Sequence, residues 1–255
     1  IDFFEYCELI TTLNAWNEAY ANGTPVVSDA VYDVEYQKLK QFERANPDQI
    51  EPNSPTLKVT SDLKDGFVKV THDIPMLSIA NSMGLGELRD WSEKTVAKGC
   101  DKQTIEYKID GLALALRYEN GELQDAITRG NGTEGDSVYA NALQIHAIPK
   151  KLPWNHSTEI RGECVWLKDD FNAYNEKLEA MGKELLSNPR NGAAGTMKSR
   201  DPREVAERKL SFVAYSIVKG SENSLHSEDL ELLKEVGFTV SEFYTRENHK
   251  ITVFY

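Results

Sequence analysis

Residues Leu112 to Thr128 constrain this chain more than any other stretch. Leu112-Ala-Leu-Ala-Leu-Arg-Tyr118 is apolar enough for a strand buried on both faces, and a second run from Leu123 to Thr128 follows after Tyr118-Glu-Asn-Gly-Glu122. Asn120-Gly121 is the pair that a type I′ turn selects, because both of its central residues need positive φ. The chain must therefore contain an antiparallel hairpin with a buried strand.

Directly before this hairpin stands Glu106-Tyr-Lys-Ile-Asp-Gly111, where a nucleophile, acids and a tight turn occur together. Read as a strand, alternation puts Glu106, Lys108 and Asp110 on one face and Tyr107 and Ile109 on the other. Lys108 then sits at a strand end against a hydrophobic floor, with Gly111 allowing a sharp bend or the close approach of a ligand. That place suits a reactive lysine. A free lysine, with a pKa near ~10.4, is almost wholly protonated at pH 7, and desolvation or a nearby positive charge is needed to release its lone pair. On residue types alone, Asp110-Gly111 reads equally as an ordinary turn beside a solvated lysine.

Composition excludes several classes. A length of 255 residues with 40% hydrophobic and 27% charged residues describes a globular chain of one large domain or two smaller ones. No apolar run is long enough to span a bilayer and the start is not signal-like, so the expected compartment is the cytoplasm. Cys7, Cys100 and Cys164 are odd in number and scattered, which argues against a disulfide framework or a zinc site. The net charge of -12 predicts poor binding to duplex DNA by this chain alone.

Residues 1 to about 65 read as helices. Phe4, Leu9, Leu13, Trp16 and Tyr20 form one apolar stripe, stopped by Asn22-Gly-Thr-Pro25. Ser28 is a good N-cap for a second helix whose stripe is Tyr32, Tyr36, Leu39 and Phe42, ending at Asn46-Pro47. Pro52 and Pro55 mark an extended linker.

From about residue 66 the pattern mixes strands and helices. Leu85 to Val96 is a surface helix with Leu88 and Trp91 inward, and the strand Glu159 to Leu167 carries Glu163 among apolar neighbours. A carboxylate buried there needs a cation or hydroxyl partners. Asp169 to Leu186 is an amphipathic helix with Phe171, Tyr174, Leu178, Met181 and Leu185 buried. In Asn188-Pro-Arg-Asn-Gly-Ala-Ala-Gly195 the small residues permit close backbone approach, and Arg190 is placed to reach phosphate. Leu210 to Val218 is a buried strand, and Ser227 caps a short helix that Gly237 ends.

Lys108-Ile-Asp-Gly111, Thr128-Arg-Gly-Asn-Gly132, Arg161-Gly-Glu163 and Asn188 to Gly195 follow in an order and spacing that closely resembles the NAD-dependent DNA ligases of bacteria and some viruses. The resemblance covers almost the whole chain. It implies an α+β fold: a helical cap over residues 1–65 that binds nicotinamide mononucleotide (NMN), then a nucleotidyltransferase (ATP-grasp-like) domain over 66–255, mainly antiparallel sheets with flanking helices. In that family the KxDG lysine attacks the α-phosphate of NAD, expels NMN and carries AMP, with Mg²⁺ offsetting phosphate charge. AMP then passes to the 5′-phosphate of a nick. By resemblance Lys108 is the nucleophile. Tyr20, Asp29, Tyr32 and Asp33 bind NMN through aromatic stacking and carboxylates, although Asp29 and Asp33 are also the acids a helix N-terminus favours. Ser78 and Ile79, in His72-Asp-Ile-Pro-Met-Leu-Ser-Ile-Ala-Asn81, line the adenine pocket. Glu106, Asp110, Arg129, Glu163, Arg190 and Lys198 complete the nucleotide set, and no protein residue is assigned as a metal ligand.

Three positions depart from the family pattern. Ala21 stands where a histidine is usual, Gly192 where an alanine is, and Asn131 replaces the aspartate of R-G-D-G. Asn131 keeps the turn chemistry while removing a charge. The D-G-[VI]-V-I-K segment, a further lysine, and the OB, four-cysteine zinc and helix-hairpin-helix modules do not occur in these 255 residues. The expectation is a C-terminally incomplete adenylation domain, an excised fragment or one subunit of a split enzyme, in the host cytoplasm if viral, acting on nicked duplex DNA with a second chain or further region. Two alternatives stay open: an ATP- or GTP-dependent nucleotidyltransferase, which shares K-x-D-G, and a non-catalytic nucleotide-binding subunit.

Overall fold

A computed structural model describes residues 1–21, 26–56, 67–100 and 102–247. The chain divides into two compact units. One comprises Ile1–Leu77 with Thr128–Ser137, and the other comprises Ser78–Ile127 with the chain from Val138 onward.

In the first unit, α1 (Phe3–Ala21) and α2 (Asp29–Ala45) bury Tyr6, Ile10, Leu13, Leu39 and Phe42 against each other. The buried stripe of α1 is thus 6-10-13, and Phe4, expected inward, is 70% exposed. Tyr6 goes inside because its polar end is satisfied there. Its hydroxyl donates to Glu43 (3.2 Å) and accepts from the Glu51 amide (3.0 Å), while its ring stacks on Phe42. α2 follows the expected signals. Ser28 caps it by accepting from Val31 N, and Asn46 ends it. The linker after α2 does not run extended as expected. Residues 52–53 and 55–56 form turns, and the carboxylate of Glu43 accepts from Ser54 Oγ (2.5 Å) and Thr56 Oγ1 (2.6 Å), tying the linker back to the helices. The stop at Asn22-Gly-Thr-Pro25 lies outside the described residues.

The rest of this unit is a small antiparallel pair, β1 (Lys69–Thr71) and β5 (Glu134–Asp136), with the loop that precedes β5. Gly130 (φ 57°) and Gly132 (φ 90°) supply left-handed backbone there. Asn131 Oδ1 accepts from Thr133 N (3.0 Å) and Glu134 N (2.8 Å), so the turn chemistry expected of this asparagine is present. Buried His72 braces the loop. Its Nε2 lies 3.1 Å from Thr128 O and 3.2 Å from Arg129 O, and Met76 N donates to Gly132 O.

The second unit is built on a five-stranded sheet of order β4-β3-β6-β7-β8. Its strands are β3 (Leu112–Glu119), β4 (Glu122–Thr128), β6 (Thr158–Val165), β7 (Ser211–Lys219) and β8 (Thr239–Val240). β6 pairs antiparallel with both neighbours, and β7·β8 is parallel. Asn120 (φ 51°) and Gly121 (φ 78°) form the turn that their sequence demands. Leu114, Leu116, Ile127, Ile160 and Phe212 are buried in this unit. A separate pair joins β2 (Lys102–Glu106) to β9 (Phe243–Glu247).

Helices flank the strands: α3 (Leu85–Val96), α4 (Tyr139–Ala142), α5 (Lys168–Ala180), α6 (Pro189–Met197), α7 (Pro202–Arg208) and α8 (His226–Glu235). Trp91 of α3 is 47% exposed, against expectation, and Ser92 is the buried residue of that helix. α5 stops six residues short of Leu186 because Gly182 (φ 66°) takes the left-handed position that ends a helix, which leaves Met181 and Leu185 exposed. α8 begins at His226 with Leu225 as its N-cap and Glu228 bonding back to Leu225 N, so Ser227 is inside the helix rather than its cap.

Candidate active site

β2 ends at Glu106, so residues 107–110 form a connection and not the strand that alternation predicts. Lys108 is exposed in it, as is Tyr107 (65%). The expected hydrophobic floor therefore does not take Lys108 out of water. What alternation missed is the effect of Gly111. An added Cβ there would lie 2.2 Å from Cys164 O and 2.9 Å from Val165 Cγ1, so the backbone of the connection presses onto β6. The close approach at Gly111 is thus to strand β6, where a ligand was expected.

That contact brings Glu163 to the lysine loop. The Gly111 amide donates to Glu163 Oε1 (3.2 Å), and the carboxyl feels Lys108, Arg190 and Asp110. Burial raises its pKa to about 7. Lys108 pulls it down most, then Arg190 and the Gly111 N–H, while Asp110 pushes it up. The demand for a cationic partner is met from both Lys108 and Arg190.

Arg190 enters from the first turn of α6. Asn188 caps that helix, its Oδ1 accepting from Asn191 N (2.8 Å), and Pro189 occupies the first turn, where its missing N–H is harmless. Arg190 Nη1 bonds Asp110 Oδ1 at 2.6 Å, with both side chains substantially exposed. Gly192 lets α6 sit on Trp166, since an added Cβ would lie 3.1 Å from Trp166 Cε3. Lys108, Asp110, Glu163 and Arg190 are therefore gathered from three separate stretches of sequence. Lys198 is buried and caps the other end of the same helix.

Glu106 is held differently. Its Oε1 lies 2.8 Å from His226 Nε2 in the first turn of α8, and this bond raises the pKa of His226. Nothing local in the sequence signals a pair 120 residues apart. His72 was also missed as a brace, although it stands within the motif that carries Ser78 and Ile79.

The remaining candidates lie apart in the chain. Ser78 and Ile79 are exposed in a segment without regular structure, and Arg129 is half-buried in the loop braced by His72. On the helical pair, Tyr20 and Tyr32 are half-buried and Asp33 is exposed. Tyr32 stacks on Tyr36 (5.7 Å between centroids) and bonds Asn17. The side chain of Asp29 lies outside the described residues. Among the described residues no group of three or more His, Cys, Asp or Glu could hold a metal ion, and no helix is long and apolar enough to cross a membrane.

Two family models match. One, described as the NAD-dependent DNA ligase adenylation domain, covers residues 64–254; the other, described as the DNA ligase-like N-terminal NAD+-binding domain, covers 5–60. Curated proteins named DNA ligase are similar throughout. That of Lactiplantibacillus plantarum is 44% identical over 217 residues, 84% of this chain and 32% of the relative. Those of Listeria monocytogenes serotype 4a and Ligilactobacillus salivarius are 39% identical over 241 residues and 41% over 243, covering 92% and 93% of this chain and 36% of each relative. The chain spans about a third of the length of the curated relatives it matches.

Proposed function

We propose, from the premise that this chain belongs to the NAD-dependent DNA ligase family, that Lys108 takes AMP from NAD and that the adenylate serves to seal nicks in duplex DNA. The observation that carries this reading is the convergence of Asp110, Glu163 and Arg190 on the lysine loop. Lys108 Nζ attacks the α-phosphorus of the dinucleotide, a P–N bond forms, and the P–O bond to NMN breaks with its electron pair leaving on NMN. The amine sheds its proton to water before the dinucleotide closes over it, while Lys108 is still exposed. Because the protein alone leaves this lysine solvated, the bound dinucleotide itself must exclude water from it.

Arg190 is the residue placed to meet phosphate once it leaves Asp110, and its planar fork suits a phosphoryl group. Glu163 accepts from Gly111 N and so holds the lysine loop to β6. Tyr20, Tyr32, Asp29 and Asp33 take the NMN half of the dinucleotide in this reading; the chemistry of the described members, two half-buried aromatics and an exposed carboxylate, suits a cationic ring bearing a ribose. Residues 1–65 form the cap and 66–255 the adenylation domain in this reading. Ser78, Ile79, Glu106, Arg129 and Lys198 complete the nucleotide contacts. The carboxylates nearest Lys108 already serve Arg190 and Gly111 N–H, and no protein cage for Mg²⁺ stands beside them. Mg²⁺, when bound, would be held chiefly by the substrate phosphates and would offset their charge. The compartment is the cytoplasm, where dinucleotide and nicked DNA meet. The OB, zinc and helix-hairpin-helix modules of the family supply duplex binding.

The test is intact mass spectrometry after incubation with NAD. The wild-type chain should gain one AMP and Lys108→Ala none. An adduct formed with ATP but not with NAD would reject the substrate, and full loading of Lys108→Ala would reject the nucleophile.

A further inference from the structure

One face of β6 carries three charged residues in a row. Alternation places Glu159, Arg161 and Glu163 on the same side; the pairing with β3 is uninterrupted from Leu112↔Cys164 to Tyr118↔Thr158, while the pairing with β7 shifts register between Glu159 and Ile160 and between Arg161 and Gly162. Across the ladder they face Arg117, Ala115 and Ala113 in turn. Arg161 stands between two glutamates, each two residues away. Its cross-strand neighbours on the β3 side, Ala115 and Ala113, carry no charge that competes for it.

The structure directs Arg161 to one of them. Its Nε and Nη2 lie 3.0 Å and 2.8 Å from Glu159 Oε1, and Arg117 Nε lies 3.2 Å from Glu159 Oε2. Glu159 is 3% and Arg161 8% exposed, so these bonds form where an unmatched charge is costly. Glu163 has another set of neighbours: Lys108 and Asp110 from the β2–β3 connection, Arg190 from α6, and the Cys164 thiol next to it on β6. From β7, Val213 lies opposite Glu163 and Ser216 opposite Arg161. An arginine that turned to Glu163 would neutralise it and compete with Gly111 N for its oxygens.

We propose that Glu159 is a positioning residue for Glu163: by holding Arg161 at the far end of their shared sheet face, it keeps that cation off the Glu163 carboxylate and leaves the carboxylate to the lysine loop. The inference rests on the active-site reading of Glu163 for its consequence in catalysis, but the charge distribution itself can be tested without turnover. It also explains why an Arg-Gly-Glu sequence, with acid and base so close on one strand face, does not collapse into its own ion pair.

The experiment follows the Glu163 carboxyl carbon by NMR as pH is varied, in the full chain labelled at glutamate and assigned through Glu163→Gln. In the wild type, the midpoint lies well above the usual carboxylate range. In Glu159→Gln, which keeps shape and removes the charge, Arg161 loses its carboxylate partner and the Glu163 midpoint should fall by about one unit or more, as expected for a cation arriving within ~4–6 Å. The double variant Glu159→Gln/Arg161→Gln should restore the wild-type midpoint. Arg161→Gln alone, in which Glu159 keeps Arg117, should leave it unmoved and remains informative if Glu159→Gln does not fold. An unchanged midpoint in folded Glu159→Gln, or a raised one in Arg161→Gln, overturns the proposal. AMP loading is read on the same samples. A midpoint that moves as expected with no change in loading supports the charge assignment and rejects the catalytic role of Glu163.

Discussion

At the scale of single residues, Glu163 is the group with the most to report. Its carboxyl is raised from 4.5 to about 7, chiefly by burial, so between those values the folded chain holds a proton that the unfolded chain has released. Stability must then fall as pH rises through that window and level off above it. Glu163→Gln removes this dependence. Relative to the wild type, the variant should gain on the order of 2 kcal/mol between pH 5 and pH 8, read from urea midpoints at the two pH values. Parallel pH profiles for the two proteins would show that the carboxyl is not held out of water. Asn131 permits a second check. Its Oδ1 ties down Thr133 N and Glu134 N, so Asn131→Ala should cost about 1 kcal/mol, whereas Asn131→Asp should be close to neutral in stability. Both residues were legible as polar groups with a duty. Sequence said that Glu163 would need cations, yet which cations came was settled by Gly111, whose missing side chain lets the lysine loop lie against β6.

At the scale of elements, the sheet depends on Gly162 as much as on its apolar rows. A Cβ at that position would lie 2.3 Å from Phe212 Cζ and 2.5 Å from Val213 O, where strand β6 meets β7. Gly162→Ala should therefore cost roughly 3 kcal/mol or more in urea unfolding, a backbone effect of the kind that produces the largest single-site losses. The bond from His226 to Glu106 joins α8 to the end of β2, and it predicts a pH effect of definite sign. The raised histidine contributes its stabilisation in full below its unfolded pKa, near ~6.5, and loses it as pH rises through the folded value. The melting temperature of His226→Gln should thus lie below that of the wild type at pH 6 and meet it by pH 9. Several elements were readable from local rules: the Asn120-Gly121 hairpin, the Ser28 cap, and the helix stop near Asn46. Faces were read less well. In α1 the stripe began at Phe4 instead of Tyr6, because hydrophobicity ranks Phe above Tyr and takes no account of a hydroxyl that finds Glu43. In α5 the apolar spacing ran on past a glycine that ends the helix.

At the scale of the whole molecule, net charge sets what the chain can do by itself. A net charge of -12 at neutral pH opposes non-specific duplex binding, so nicked DNA should bind more weakly than ~10 μM at physiological salt. Fluorescence anisotropy at two salt concentrations checks this, and a steep loss of affinity with salt would reveal a basic track that the net charge conceals. The sequence by itself determined the class of fold, the hairpin at its centre, the helix caps and the order of motifs that marks the family, because each is written in residues close together in the chain. Only the tertiary structure decided that Lys108 stays in water, that Asp110 takes Arg190, that Glu106 takes His226, and that Arg161 takes Glu159 while Glu163 is left to the lysine loop. Each of those outcomes is a choice among partners brought within reach by strand register and packing. The energy that separates one partner from another depends on burial, which no local pattern encodes.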